Sequence, residues 1–343
     1  METTQGEIYF IREQEGDGFS PYTKIGLIKY TEDRDSQSRI GEHQTGNPRP
    51  LIVFRFVPTF CVTAAETYMH RKYASHRFHG EWFQLSESQI LDAFDFCQSL
   101  AKRFEREKGV LDTAKKSKDE VSNGEITGTS EEAQTWLNAY WCARFTIDRC
   151  DSITTVYHRT IRDADEQGED VSGTAAIQER APRAVFDEKG FKAKYENLWT
   201  KHLIQKESIA SRFSAQKISE DSLLVDDFQA EFQMLANKME EALLNEGGNS
   251  QTLFDVHEVY LNLLSFEKQA QVDMDIAEAH LKVLCAENDG IQNVCKWTRK
   301  LTVKEVLDTK ALKSNHPNEY AEFESRGKAV IAVVPKKGIG SAK

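Results

Sequence analysis

Glu7-Ile8-Tyr9-Phe10-Ile11-Arg12 and Lys24-Ile25-Gly26-Leu27-Ile28-Lys29-Tyr30 decide the fold of the first third of the chain. Both runs are rich in β-branched and aromatic residues. Between them Glu15-Gly16-Asp17-Gly18-Phe19-Ser20-Pro21 is a turn cluster, so the pattern predicts two neighbouring strands. Downstream, Asp33 to His43 reads as a short helix stopped by Thr45-Gly46-Asn47-Pro48, and Leu51 to Val57 as a third, buried strand. Ala64 to Tyr73 reads as a helix, and Gly80-Glu81-Trp82-Phe83-Gln84-Leu85 as a short strand. Ser86 opens a further helix, with Ser88 and Gln89 in its first turn, running to about Lys108. Residues 1–108 are thus predicted to form an α+β domain, a small three-stranded sheet with flanking helices.

The pattern then changes. Residues 109–130, with Lys115-Lys116-Ser117-Lys118-Asp119-Glu120 and a Ser/Gly/Thr-rich stretch, read as a linker. Residues 131–288 read as a long α-helical region. Its expected helices are Thr135 to Asp163, Phe186 to Ala215, Asp221 to Leu244 and, after the turn at 247–250, Leu253 to Ala286. Long helices with short connections predict antiparallel packing. Residues 289–335 read as a small basic α/β module. It has strands near Ile291 to Val303 and Lys328 to Val334, and a short helix interrupted at Asn315-His316-Pro317. Residues 336–343 are expected to be a flexible tail.

Among 343 residues, 39% are hydrophobic and 29% charged, which supplies a core and excludes wholesale disorder. The formal charge is −11 but is unevenly spread. Residues 1–106 carry 13 Lys/Arg against 15 Asp/Glu, residues 291–343 carry 11 against 5, and the middle carries 20 against 35. So acidic a middle will not lie along a phosphate backbone, and nucleic-acid contact is expected from the two ends. The acidic stretch is a solvated helical face, a surface for a basic protein partner, or a shield that mimics nucleic acid. No run approaches the ~18 apolar residues of a membrane span, and the acidic N-terminus has no secretory pattern. Six scattered cysteines without a C-x-x-C pair read as reduced thiols. A cytoplasmic location is expected. Long amphipathic helices often pair between chains, so a homo-oligomer is expected too.

Phosphodiester hydrolysis needs a base for water, a cation for the developing negative charge and a carboxylate for a divalent metal. The first hundred residues hold candidates for each. Tyr9 or His43 is the candidate base. Arg39, one helical turn before His43, is a candidate phosphate ligand. Glu66, opening a helix, is a candidate ligand for Mg2+ or Mn2+, which often takes only one or two carboxylates. Lys24 is a candidate phosphate contact or a modulator of Tyr9. His70, His76 and His79 match no zinc spacing and read as surface or stacking histidines.

In order and spacing these elements resemble the GIY-YIG nuclease superfamily, in a phage-associated branch also seen in the meiotically up-regulated gene family. The resemblance rests on Ile8-Tyr9, Lys24-Ile25-Gly26 in place of Y-I-G, and Arg39 with His43. It continues through Gln44-Thr45-Gly46-Asn47-Pro48, Ala65-Glu66 and Gly80-Glu81-Trp82-Phe83. It implies a GIY-YIG-like fold with Tyr9, Arg39, His43 and Glu66 on the catalytic face, and Lys24 where the second tyrosine of the superfamily stands. Farther on, Lys296-Trp297-Thr298, Leu307-Asp308-Thr309-Lys310-Ala311-Leu312-Lys313 and His316-Pro317-Asn318-Glu319-Tyr320 resemble the C-terminal appendix of YqaJ-type phage exonucleases. That resemblance implies a phage or prophage setting in a bacterial host and work around DNA. Two functions are therefore expected. One is a metal-dependent endonuclease acting on nucleic acid, DNA first. The other is a catalytically degenerate nuclease-like scaffold that binds a bacterial protein partner, such as a defence or recombination complex.

Overall fold

The computed structural model describes residues 3–30, 41–45, 47–220, 223, 226–244 and 250–336. Its N-terminal part is an antiparallel sheet built from β1 (Gly6–Glu15), β2 (Gly18–Lys29), β3 (Leu51–Thr59) and a short hairpin, β4 (Arg77–His79) with β5 (Trp82–Gln84). The order is β3-β1-β2-β5-β4, so the three expected strands lie side by side and the hairpin extends the sheet beyond β2. Side chains alternate across the central strand. Ile8 and Phe10 point into a core shared with two helices, α1 (Val62–Lys72) and α2 (Glu87–Ser117). Tyr9 and Ile11 pack on the opposite face with Ile28 and Leu51. Of the short helix expected before the third strand, residues 41–44 are helical and 31–40 lie outside the described residues.

Helix α2 starts at a complete capping box, in which the Ser86 hydroxyl accepts from the Gln89 backbone and the Gln89 side chain accepts from the Ser86 backbone. It does not stop near Lys108. Leu111 and Ala114 continue its buried stripe, so the helix runs to Ser117 through the first part of the expected linker. The rest of that stretch is pinned by β6 (Ile126–Thr127), which pairs with β10 (Gly290–Ile291).

Three long helices, α3 (Glu131–Glu166), α6 (Asp227–Leu244) and α7 (Ser250–Cys285), make the helical layer around Tyr157, Phe232, Met239 and Tyr260. Between α3 and α6 the chain forms two short helices, α4 (Glu188–Lys194) and α5 (Glu196–Lys201). Helix α7, ~54 Å long at 1.5 Å per residue, also buries Ile276 and Ala279 in the N-terminal core. Polar ties reinforce that seam. Arg103 donates to the Tyr68 hydroxyl (2.8 Å) and to Asp273 (3.1 Å), Tyr68 itself donates to Asp273, and Arg71 pairs with Glu231 at 3.0 Å.

Residues 186–215 correct the expected helix. They form α4 (Glu188–Lys194), α5 (Glu196–Lys201) and the strand β9 (Leu203–Ala215). The strand wins because β11 (Cys295–Leu307) offers it thirteen consecutive antiparallel pairings. A small core of Phe191, Leu307, Leu312 and Tyr320 joins α4 and α5 to α8 (Thr309–Asn315) and α9 (Pro317–Ala321). Two further pairs complete the region: β8 (Ala184–Phe186) with β12 (Glu324–Arg326), and β7 (Ala175–Arg180) with β13 (Val330–Pro335). The small module is therefore built from both 175–215 and 290–335. The expected tail lies outside the described residues apart from Lys336. Among the described residues no helix is long and apolar enough to cross a membrane.

Candidate functional site

A cleft of about 760 Å³ opens between the N-terminal sheet edge and the helical layer. Lys24, His43, Glu66, His70, Arg77 and Glu81 line one wall, while Lys268, His158 and Lys336 face it from the other. Local sequence explains how each near-wall side chain arrives. Lys24 comes from β2, opposite Trp82 of β5. The fully buried Ala65 lets α1 sit close on the sheet, so that Glu66 beside it faces the cleft. Gly80 adopts φ +56°, which a side chain would strain, and this turn presents Glu81.

Tyr9 and His43 meet: the phenol oxygen lies 3.0 Å from His43 Nε2. Tyr9 is buried at 2% exposure, whereas His43 lines the cleft. Gly26 stands opposite Tyr9 in the ladder, and a Cβ there would come within 2.6 Å of Tyr9 Cζ. The glycine of Lys24-Ile25-Gly26 is thus the floor on which the tyrosine ring lies.

Lys24 pairs with Glu81 at 2.9 Å. Burial alone would raise the Glu81 carboxyl, but the hydrogen bond and charge of Lys24, with His70 and His43 nearby, hold it below the ordinary range. Glu66 behaves oppositely. Burial first, and then the charge of Glu81, push it up to about 7 against the opposing pull of Lys268, Lys24 and Arg77. His70 donates from Nε2 to the Ile25 carbonyl at 2.8 Å. Burial lowers its pKa to about 4, so it is a neutral donor. The Arg77 guanidinium donates to the Gly80 carbonyl and sits 4.8 Å from the Phe83 ring centroid, which fixes the hairpin beside the carboxylates.

Gln44 and Asn47 of the Gln44-Thr45-Gly46-Asn47-Pro48 motif tie the chain before the third strand. Gln44 donates to the carbonyls of Asn47 and Arg49 (both 3.0 Å) and accepts from Leu51 N (2.8 Å), while Asn47 donates to Glu13 at 2.7 Å. Of the five sequence candidates, Lys24, His43 and Glu66 share the cleft, Tyr9 reaches it through His43, and Arg39 lies outside the described residues. His76 turns to Gln89 (3.2 Å), while His70 and His79 line the cleft. Sequence reasoning assigned no role to Arg77, Glu81 or Lys268. Glu81 was visible within Gly80-Glu81-Trp82-Phe83. Lys268 gave no signal, because its helix reaches the site only through tertiary packing.

Among the described residues no group of three or more His, Cys, Asp or Glu is placed to hold a metal. Magnesium keeps most of its waters and takes one or two carboxylates. Glu66 and Glu81, which repel each other across the same cleft, fit that smaller requirement.

Residues 6–98 match the T5orf172 domain family. This domain is related to GIY-YIG and phage endonuclease-like folds, so residues 6–98 are similar to a phage-type, nuclease-like domain. Neither a curated protein nor a solved structure matches the chain.

Proposed function

We propose that the cleft hydrolyses nucleic-acid phosphodiesters with a divalent metal, DNA being the first substrate to test. The observation that carries this reading is the charge of the cleft. In a chain of net −11, four cations (Lys24, Arg77, Lys268 and Lys336) converge with two carboxylates on one cavity. Such a cavity attracts a phosphate and still offers oxygen ligands. His43 faces the cavity and accepts a proton from water, and the Tyr9 phenol fixes its ring. Lys24, Arg77 and Lys268 counter charge on the scissile phosphate. Arg39 joins them on the sequence pattern. Glu66, with Glu81, would hold Mg2+ or Mn2+, which supplies Lewis-acid stabilisation and activates water.

The test is cleavage of labelled single- and double-stranded DNA and RNA by the purified protein, with magnesium, manganese or EDTA. Metal-dependent cleavage that Glu66→Ala and His43→Ala each reduce at least 100-fold supports the reading. No cleavage of any substrate with either metal would rule it out. One observation favours the second reading, a protein-binding scaffold: Lys24 already neutralises Glu81, a carboxylate that a metal needs. On that reading the same assay shows no cleavage, while a bacterial protein partner binds the wild-type chain and not a variant altered on its contact surface.

A further inference from the structure

The ribbon of β9 and β11 sorts its charges by face. Register places Lys296, Lys300 and Lys304 opposite Ser214, Ala210 and Lys206, with Arg212 opposite Thr298. Side chains alternate along a strand and directly paired residues share a face. The five cations Lys206, Arg212, Lys296, Lys300 and Lys304 therefore stand on one face, all exposed, among the hydroxyls of Ser208, Ser214, Thr298 and Thr302. That face carries no carboxylate. Glu207 and Glu305, the ribbon's two acidic residues, belong to the other face, whose root is anchored by buried Trp297 and Arg299. Among the described residues none of the five cations has an ion-pair partner.

Lys304 and Lys206 face each other directly. Like charges directly opposite each other destabilise a free ribbon, a cost that a bound polyanion removes. The ribbon spans thirteen residues, roughly 40 Å at ~3.3 Å per residue, close to the ~34–36 Å of one B-DNA turn. The B-form major groove admits a two-stranded ribbon, whereas the deep, narrow A-form groove does not. The surrounding residues agree in sign: 175–215 and 295–335 together hold 16 Lys/Arg against 10 Asp/Glu in an otherwise acidic chain.

We infer that the cationic face of the β9–β11 ribbon is a binding surface for double-stranded DNA, separate from the cleft. It is a backbone contact, so affinity follows counterion release. Half of the ribbon comes from the acidic middle of the sequence, which charge counting along the chain excludes as a contact.

The experiment measures binding of the full-length protein to a 20–30 base-pair duplex by fluorescence anisotropy in EDTA, across a salt series. Using EDTA separates binding from hydrolysis. The triple variant Lys296→Gln/Lys300→Gln/Lys304→Gln should bind at least 10-fold more weakly at low salt. The slope of log affinity against log salt should fall by about 3, near 0.9 per lost contact. Lys206→Gln/Arg212→Gln on the other strand should lower it by about 2. Glu207→Gln/Glu305→Gln, on the opposite face, should not weaken binding. Substitutions at exposed positions should leave the thermal midpoint in place, which shows that folding is retained. Unchanged duplex affinity in both cationic-face variants overturns the proposal. So does a wild-type protein that binds no duplex at low salt, or one that binds an RNA duplex equally well with equal losses in the variants. Loss of cleavage in Glu66→Ala with duplex binding intact supports the ribbon proposal, whereas absence of cleavage in the wild type bears only on the cleft.

Discussion

Tyr9, Gly26 and His43 carry the most information per residue. The ring of Tyr9 occupies the space a Gly26 side chain would take, and its hydroxyl meets His43. Gly26→Ala should therefore destabilise the protein by about 1–3 kcal/mol, as overpacking does, and disturb the Tyr9–His43 pair. Urea denaturation measures the first effect, and an unchanged midpoint would contradict the packing described. His70 gives a pH signature. Burial lowers its pKa to about 4, while an unfolded histidine titrates near ~6.5. Above pH 6.5 the residue is neutral in both states and its contribution is intact. As pH falls from 6.5 to 4 the unfolded chain gains a proton that the folded chain refuses, and stability drops, on the order of 3 kcal/mol by pH 4. His70→Gln should flatten the acid limb of the stability curve in that window. Identical limbs for wild type and variant would show that the imidazole is not buried. At this scale the sequence was legible wherever a motif residue answers to its immediate neighbours, as Gly80, Gln44 and Asn47 do. Arg77 gave no signal, and His70 read only as a surface or stacking histidine, because their roles depend on the sheet and hairpin packing against α1.

Elements were legible where a local signal also matches the tertiary environment. Ser86 and Gln89 announce the start of α2 and form the cap there. Ser86→Ala should cost about 1 kcal/mol, read from chemical denaturation. The end of α2 was not legible, because polar lysines around 115–118 conceal the buried Leu111 and Ala114. Strand β9 was the larger miss. Ile209 and Phe213 fall one helical turn apart and imitate an amphipathic helix, although Lys206, Ser208, Ala210, Arg212 and Ser214 alternate with period 2. The thirteen pairings with β11, some 90 residues downstream, settle the contest, and no local window contains them. The seam between α1, α2 and α7 makes a further prediction. Asp273→Ala leaves Tyr68 and Arg103 without their shared acceptor. The expected loss is about 1–2 kcal/mol given the pair's partial exposure, with faster hydrogen exchange concentrated along α1 and α7. Exchange that rises uniformly across the chain would show that the seam is no special tie.

At the scale of the molecule, tertiary packing adds a second wall to the cleft of the N-terminal domain. Helix α7 brings Lys268 across from Glu66, and the chain near Lys336 closes the same cavity. The order of motifs along residues 6–98 made the domain legible, but this wall lies in segments that carry no motif. The proposed chemistry rests on Glu66 as a carboxylate open to a hydrated metal, in the same cleft as His43. The most direct measurement is cleavage of labelled nucleic acid by the full-length protein with magnesium, manganese or EDTA, run beside Glu66→Gln of matching circular dichroism. The expected result is cleavage that requires metal in the wild type and falls at least 100-fold in the variant. A wild type inert with both metals, or a variant as active as the wild type, would contradict it.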